Sequence, residues 1–233
     1  MLPFLSEVLP KNSRMKLKLL SSLALALPLA MFGQVTLDSA YQVNYASNLN
    51  IGDAVINVSN SGFSAGGNQP IVNANTFGDI CANIYVYAPD QEQATCCTCL
   101  VSPNSLHSFA VSYGPGNLLT NVPGGGALAS IRATNSVVIK LLATAAAGAG
   151  PTLNDSCPRP DAPLGLATGL VSWATHAHPT NTTQAAITET PSTPSTLSTG
   201  EFLKLTQDCN YNLTRGSQVQ CPGCRVGGLA TGL

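Results

Sequence analysis

The chain has 233 residues, of which 44% are hydrophobic and only 9% are charged, and its formal net charge at pH 7 is -1. Charged residues are far below the roughly 25% that is usual for soluble domains, which argues against a coiled coil or a long-helix protein. Ten lysine and arginine residues spread along the chain form no basic stripe, which argues against nucleic-acid binding.

Residues 1–33 have the form of a secretory signal peptide. A basic region precedes an apolar run over 19–32, and its charged residues are Lys11, Arg14, Lys16 and Lys18. The run is shorter than the roughly twenty residues that a membrane span needs, and Pro28 interrupts it, which weighs against the alternative of an anchoring helix. We therefore expect cleavage after Gly33, no transmembrane helix after cleavage, and a secreted or cell-envelope location.

Short β-rich segments follow at intervals, each bounded by residues that favour turns. They cover 53–59, 79–87, 92–100, 106–113 and 136–143, with 164–173 as a further candidate. Such spacing predicts a mainly β protein whose residues 34–178 form an antiparallel β-sandwich domain.

Two of these segments form a predicted hairpin that brings cysteines together. If its loop has three residues centred on Pro89, Cys81 lies opposite Cys97, and Cys99 shares the face of Cys97 because strand side chains repeat every two residues. Cys96 then points to the other face and pairs elsewhere, with Cys157 or the C-terminal cluster. A bridge between Cys81 and Cys97 is thus expected.

The last part of the chain combines a polar connection with a helix. Residues 179–198 are rich in Thr, Ser and Pro, which favours an extended surface segment or linker. Ser198 and Glu201 then form a capping box that predicts a helix at about residues 199–210. Residues 199–233 are therefore the helix and a Cys-rich C-terminal element, in which we expect Cys209 to pair with Cys221 or Cys224.

An even number of cysteines behind a signal peptide favours disulfides. The eight are Cys81, Cys96, Cys97, Cys99, Cys157, Cys209, Cys221 and Cys224. One alternative is a zinc site made from the two C-x-x-C motifs at 96–99 and 221–224, and another is a redox role for the second motif. An oxidising location favours the disulfides over both.

These motifs also resemble a family of uncharacterised exported bacterial proteins. The similar residues are Ile80-Cys-Ala-Asn-Ile-Tyr-Val-Tyr87, Cys96-Cys-Thr-Cys-Leu-Val-Ser-Pro-Asn104, Val137-Val-Ile-Lys-Leu-Leu-Ala143, Thr188-Glu-Thr-Pro191, Leu203-Lys-Leu-Thr206 and Cys221-Pro-Gly-Cys-Arg-Val-Gly-Gly-Leu229. The resemblance implies export and disulfide bonding, and it implies no activity or ligand.

Two histidines are the best candidate for a metal site. His176 and His178 lie on one face of an extended segment, and Asp155, Asp161 or Glu189 is the candidate third ligand. Histidines beside Thr-rich sequence are more often exposed polar residues, so we predict no metal and no cofactor.

No combination of residues predicts a catalytic site. His107 lies among serines without a Gly-x-Ser-x-Gly motif, and Asp90 and Glu92 lie at a hairpin tip, where carboxylates are solvated. This pattern favours a non-enzymatic structural or adhesive protein of the cell surface or extracellular space. The alternatives are a secreted carbohydrate-binding or carbohydrate-active protein, for which a groove lined by Trp173 and tyrosines would speak, and a metal or redox module that uses His176, His178 and the C-x-x-C pairs.

Overall fold

A computed structural model describes residues 40–62, 78–112, 114, 116–121, 135–147, 157–180 and 185–224. The predicted signal peptide lies outside these residues. In the described part of the chain, no helix is both long enough and apolar enough to cross a membrane.

The described residues form nine strands, a short 3-10 helix at Leu118–Asn121 and one α-helix, α1, at Thr199–Thr214. The strands are β1 (Tyr41–Ser47), β2 (Ala54–Asn60), β3 (Ile80–Tyr87), β4 (Gln93–Val101), β5 (Leu106–Ala110), β6 (Ser136–Ala145), β7 (Leu170–Pro179), β8 (Ala185–Pro191) and β9 (Thr193–Pro194). They make a five-stranded sheet in the order β4-β3-β6-β1-β9 and a four-stranded sheet in the order β5-β2-β7-β8.

The two sheets pack face to face, which confirms the predicted antiparallel sandwich. All strand pairs within the sheets are antiparallel. One buried cluster contains side chains of both sheets, among them Ile56 and Phe109 from one sheet and Ile84 and Leu141 from the other. Alternate residues of β2, β3 and β6 enter this cluster, as expected for strands with one face in the core.

Strand β4 lies at the edge of the five-stranded sheet, yet every one of its residues is buried. Its Cys97 and Cys99 belong to the core between the sheets, whereas Cys96 belongs to a second cluster on the outer face, beneath α1. The free edge is covered by the C-terminal tail, which forms a parallel bridge between Gln220 and Thr98. Exposed sheet edges can pair with strands of other chains, and the tail covers this edge of β4.

The expected bridge between Cys81 and Cys97 is wrong. The β3–β4 register places Cys81 opposite Leu100 and Cys97 opposite Ile84, with a shift between Val86 and Tyr87 near the turn. This register exchanges the two faces of β4, so that Cys81 points away from Cys97. Cys81 instead bonds Cys157 at a Cα–Cα distance of 5.6 Å.

The predicted helix is present and continues four residues further, to Thr214. The Ser198 hydroxyl accepts from the Glu201 amide at 3.1 Å, as a capping residue does. The Glu201 carboxylate does not serve as the other half of a local box, since it accepts from Lys140 Nζ at 2.5 Å and from the Tyr41 hydroxyl at 3.3 Å. The helix is thus attached to β1 and β6 by polar contacts.

The expected pairing of Cys209 with Cys221 or Cys224 is also wrong, because α1 lies on the outer face. Cys209 bonds Cys96 there. The other two bridges join the inner face of β4 to the tail, Cys97 to Cys221 and Cys99 to Cys224. All eight cysteines are therefore in disulfides.

Two elements of the second half differ from expectation. The candidate strand at 164–173 begins later, at Leu170, and runs to Pro179. The predicted connection at 179–198 contains β8 and β9, so the sandwich extends beyond residue 178. The side chains described in β8 and β9 are mostly exposed. Threonine favours strands, so a strand at a sheet edge can form without alternating apolar residues.

Replacing Cys96 and Cys209 together with alanine is expected to lower the free energy of unfolding by about 2–4 kcal/mol, since α1 then loses its covalent attachment to β4. Urea denaturation measures the loss, and hydrogen exchange locates it. The control is the Cys81→Ala, Cys157→Ala variant, which leaves the bond under α1 intact. Amides of α1 should exchange faster in the first variant only, and equal exchange in both would contradict the account.

Candidate functional site

A groove of about 370 Å³ opens at the side of the sandwich opposite β4. Because β9 has only two residues, it pairs with Gln42 and Val43 and leaves the rest of this edge of β1 without a described strand partner. The groove lies beside that edge, and its walls include Asn44 and Tyr45 of β1. The opposite wall comes from β7 and β8.

Buried hydrogen bonds join the two sheets beside the groove. Asn44 Nδ2 donates to the Ser192 hydroxyl at 2.9 Å, where the chain crosses from β8 to β9. Gln42 Nε2 donates to the Leu170 carbonyl at 2.7 Å, and the Ser172 hydroxyl donates to Gln42 Oε1 at 2.6 Å. Buried polar groups that are paired in this way define a single arrangement of the strands.

The two predicted histidines line this groove. His176 and His178 lie on the same face of β7, and their rings stack with centroids 6.2 Å apart and an interplanar angle of 15°. Each meets a hydroxyl of β8, with His178 Nε2 3.3 Å from Thr188 Oγ1 and His176 Nε2 3.4 Å from Thr190 Oγ1. Partial burial, and then the nearby His178, lower the pKa of His176 below its usual 6.5.

The candidate third metal ligands do not join the pair. Glu189 alternates with Thr188 and Thr190 to the other face of β8, where its carboxylate accepts from the Thr175 hydroxyl at 3.3 Å. Asp161 accepts from the Arg159 guanidinium at 3.0 Å, and Asp155 lies outside the described residues. The structure therefore brings together two imidazoles and two hydroxyls.

Trp173 does not line the groove. It alternates with His176 along β7 and lies on the outer face of the four-stranded sheet, opposite Asn57 of β2. Polar side chains continue across this face, since the Ser108 hydroxyl donates to Asn57 Oδ1 at 2.7 Å and Asn57 Nδ2 donates to Thr175 Oγ1 at 2.9 Å. The aromatic residue of the groove is Tyr45, which is 63% exposed at its rim.

The remaining candidate residues, Asp90, Glu92 and His107, lie in the elements that the sequence predicted for them. Asp90 and Glu92 are exposed at the tip of the β3–β4 hairpin, and Asp90 Oδ1 accepts from the Glu92 amide at 3.2 Å. His107 is buried on β5, its ring stacks on that of Phe109, and burial lowers its pKa. Its Nδ1 atom lies 3.7 Å from Cys99 Sγ, a contact that no sequence pattern predicted.

The zinc alternative for the two C-x-x-C motifs does not fit the cysteines as the structure has them. Cys96 lies on the outer face of β4 and Cys99 on the inner face, so the first motif cannot present both sulfurs to one ion. Both sulfurs are in disulfides, with Cys209 and Cys224.

In comparisons with known proteins, no protein-family model, curated protein sequence or solved structure matches the chain.

In the His178→Asn variant, the pKa of His176 is expected to rise toward its usual value. The variant removes the neighbouring imidazole, whose positive charge disfavours protonation of His176, but leaves the larger effect of burial in place. Titration followed by NMR of the imidazole protons measures this change. A His176 pKa that does not move, or that falls, would contradict the contact between the rings, and the Glu189→Gln variant on the opposite face is the control.

Proposed function

We propose that this chain is an exported, disulfide-stabilised protein with a structural or adhesive role at the cell surface or outside the cell. The observation that carries the proposal is the oxidation of all eight cysteines into four bridges. Such bridges persist in oxidising locations and are rare in the cytosol. The secretory signal predicted over residues 1–33 points to the same location.

The placement of the bridges fits a protein that must keep its shape outside the cell. Three of them start from β4 and attach α1 and the tail to the two faces of one strand. The fourth attaches the segment that begins at Cys157 to β3, where the Tyr85 hydroxyl also donates to the Pro160 carbonyl at 2.7 Å. Covalent attachment of each peripheral segment limits local opening and hence proteolysis.

The secreted protein is expected to begin near Gln34 and to weigh about 8 Da less than its reduced chain, one hydrogen per cysteine. Intact-mass measurement of protein recovered from culture medium and from the cell envelope tests both values. Retention of residues 1–33 on soluble extracellular protein, or free thiols under native alkylation, would contradict the proposal.

A second candidate function, carbohydrate binding, is favoured by the lining of the groove. Neutral hydroxyl, amide and imidazole groups stand beside an exposed tyrosine ring, namely Thr188, Thr190, Asn44, His176, His178 and Tyr45. Sugars present hydroxyls that such groups bond and apolar ring faces on which an amphipathic aromatic side chain stacks. The groove is thus the proposed contact site for a surface glycan.

Tyr45→Ala is expected to weaken binding of a neutral oligosaccharide by about tenfold, through the loss of ring stacking. Calorimetry with cello-, xylo- and chito-oligosaccharides measures the effect. Tyr211→Ala is the matched control, because Tyr211 is similarly exposed, at 53%, but lies on α1. Absence of binding by the unaltered protein, or equal losses in both variants, would reject this candidate.

A further inference from the structure

The C-terminal tail closes the side of the sandwich between β4 and β5. The Thr98 amide donates to the Val219 carbonyl at 2.8 Å, and the Cys221 amide donates to the Thr98 carbonyl at 3.0 Å. The chain then turns at Gly223, whose φ of +79° favours glycine. A Cβ atom at Gly223 would lie 3.9 Å from the carbonyl oxygen of Ser108 on β5. The tail therefore contacts both sheets.

This closure brings one disulfide against a buried imidazole. His107 is 1% exposed, and its Nδ1 atom lies 3.7 Å from Cys99 Sγ. The ligand atoms of Cys99, Cys224 and His107 all lie within 4.8 Å of one another. Two sulfurs and one imidazole nitrogen are a donor set that suits Zn²⁺ and Cu⁺, once the sulfurs are thiolates.

We propose that Cys99, Cys224 and His107 form a soft-metal site that the Cys99–Cys224 disulfide keeps closed and that a dithiol opens. In the oxidised protein the two sulfurs are bonded to each other and offer no thiolate. In the reduced protein the same three residues bind one metal ion, and a water molecule or an external ligand completes its coordination. The site is independent of the groove and of the carbohydrate proposal.

The opening step is thiol–disulfide exchange. A thiolate of the dithiol attacks Cys224 Sγ, the bond to Cys99 breaks, and Cys99 leaves as a thiolate beside His107. The second thiol of the reagent then closes a cyclic disulfide and releases Cys224. Two electrons pass from the dithiol to the protein, and the metal displaces the protons that the two cysteines carry as thiols.

The bridge between Cys99 and Cys224 is partly accessible, and neighbouring contacts hold the tail beside it. Cys224 is partly buried whereas Cys99 is 1% exposed, so attack at the Cys224 end of the bridge is the route that burial favours. The neighbouring bridge between Cys97 and Cys221 and the backbone bonds to Thr98 hold the tail in place when the first bridge opens. Opening therefore leaves the ligands close together.

The bridge between Cys81 and Cys157 is the internal control. Cys157 is also partly buried, so access alone would open this bridge at a similar rate. Among the described residues, His107 is the one histidine within hydrogen-bonding reach of a cysteine sulfur. Faster opening of Cys99–Cys224 than of Cys81–Cys157 would therefore be an effect of the His107 imidazole.

The experiment treats the purified, oxidised full chain with a limited amount of dithiothreitol in the presence of Co²⁺, which reports thiolate ligation by a charge-transfer absorption band. Differential alkylation and peptide mapping then identify the opened and the metal-protected cysteines. We expect Cys99 and Cys224 to open several-fold faster than Cys81 and Cys157, to bind about one cobalt ion per chain, and to become resistant to alkylation.

The His107→Gln variant should open more slowly and bind cobalt several-fold more weakly, while Ser108→Ala, the matched control on the other face of β5, should behave as the unaltered protein does. If His107→Gln fails to fold, the NMR resonances of the His107 ring in the unaltered, reduced protein test the proposal instead. They are expected to shift on addition of Zn²⁺. Four results would each overturn the proposal. They are opening of Cys81–Cys157 before Cys99–Cys224, cobalt binding that does not protect Cys99 and Cys224 from alkylation, equal cobalt binding by His107→Gln, and His107 resonances that do not shift.

Discussion

The alternation of side chains along β4 is the constraint on which the rest of the structure depends. Neighbouring residues of a strand point to opposite faces, so the adjacent Cys96 and Cys97 cannot bond the same element. Cys96 holds α1 on the outer face, and Cys97 with Cys99 holds the tail on the inner face. One strand thus organises both peripheral elements, and it is buried although it lies at a sheet edge.

This arrangement makes the two sides of the sandwich different. The side at β4 and β5 is closed by two bridges and by the backbone bonds of the tail. The opposite side is held by neutral hydrogen bonds of Gln42 and Asn44, and there the short β9 leaves a groove beside β1. A covalently closed side and an open polar side suit the proposed surface role, because a stable frame keeps a contact site in one geometry.

Short sequence patterns predicted the elements that depend only on residues close together in the chain. The Ser198 and Glu201 pair predicted the start of α1, and the β-rich segments predicted the sandwich. The spacing of Cys96, Cys97 and Cys99 correctly separated them into two faces. The partner of Cys81 could not be obtained in this way, because it depends on the register beyond a turn, where a shift at Val86 reverses the faces.

The groove was beyond sequence reasoning for a related reason. Its histidines were found from their i, i+2 spacing, but their hydroxyl partners come from β8, which was expected to be a connection because that segment is rich in Thr, Ser and Pro. Tyr45 lies more than a hundred residues from His176 in sequence and reaches the same groove only through the packing of β1 against β7. Contacts between distant strands follow from topology, which the local pattern does not contain.

The most direct test of the organisation around β4 is the disulfide connectivity of the native protein. Stepwise partial reduction with electron-transfer fragmentation can separate the adjacent Cys96 and Cys97, which proteases leave on one peptide. We expect the pairs Cys96–Cys209, Cys97–Cys221, Cys99–Cys224 and Cys81–Cys157. A bond from Cys96 to Cys221 or Cys224, or from Cys97 to Cys81 or Cys209, would place these side chains on the opposite faces of β4 and contradict this organisation.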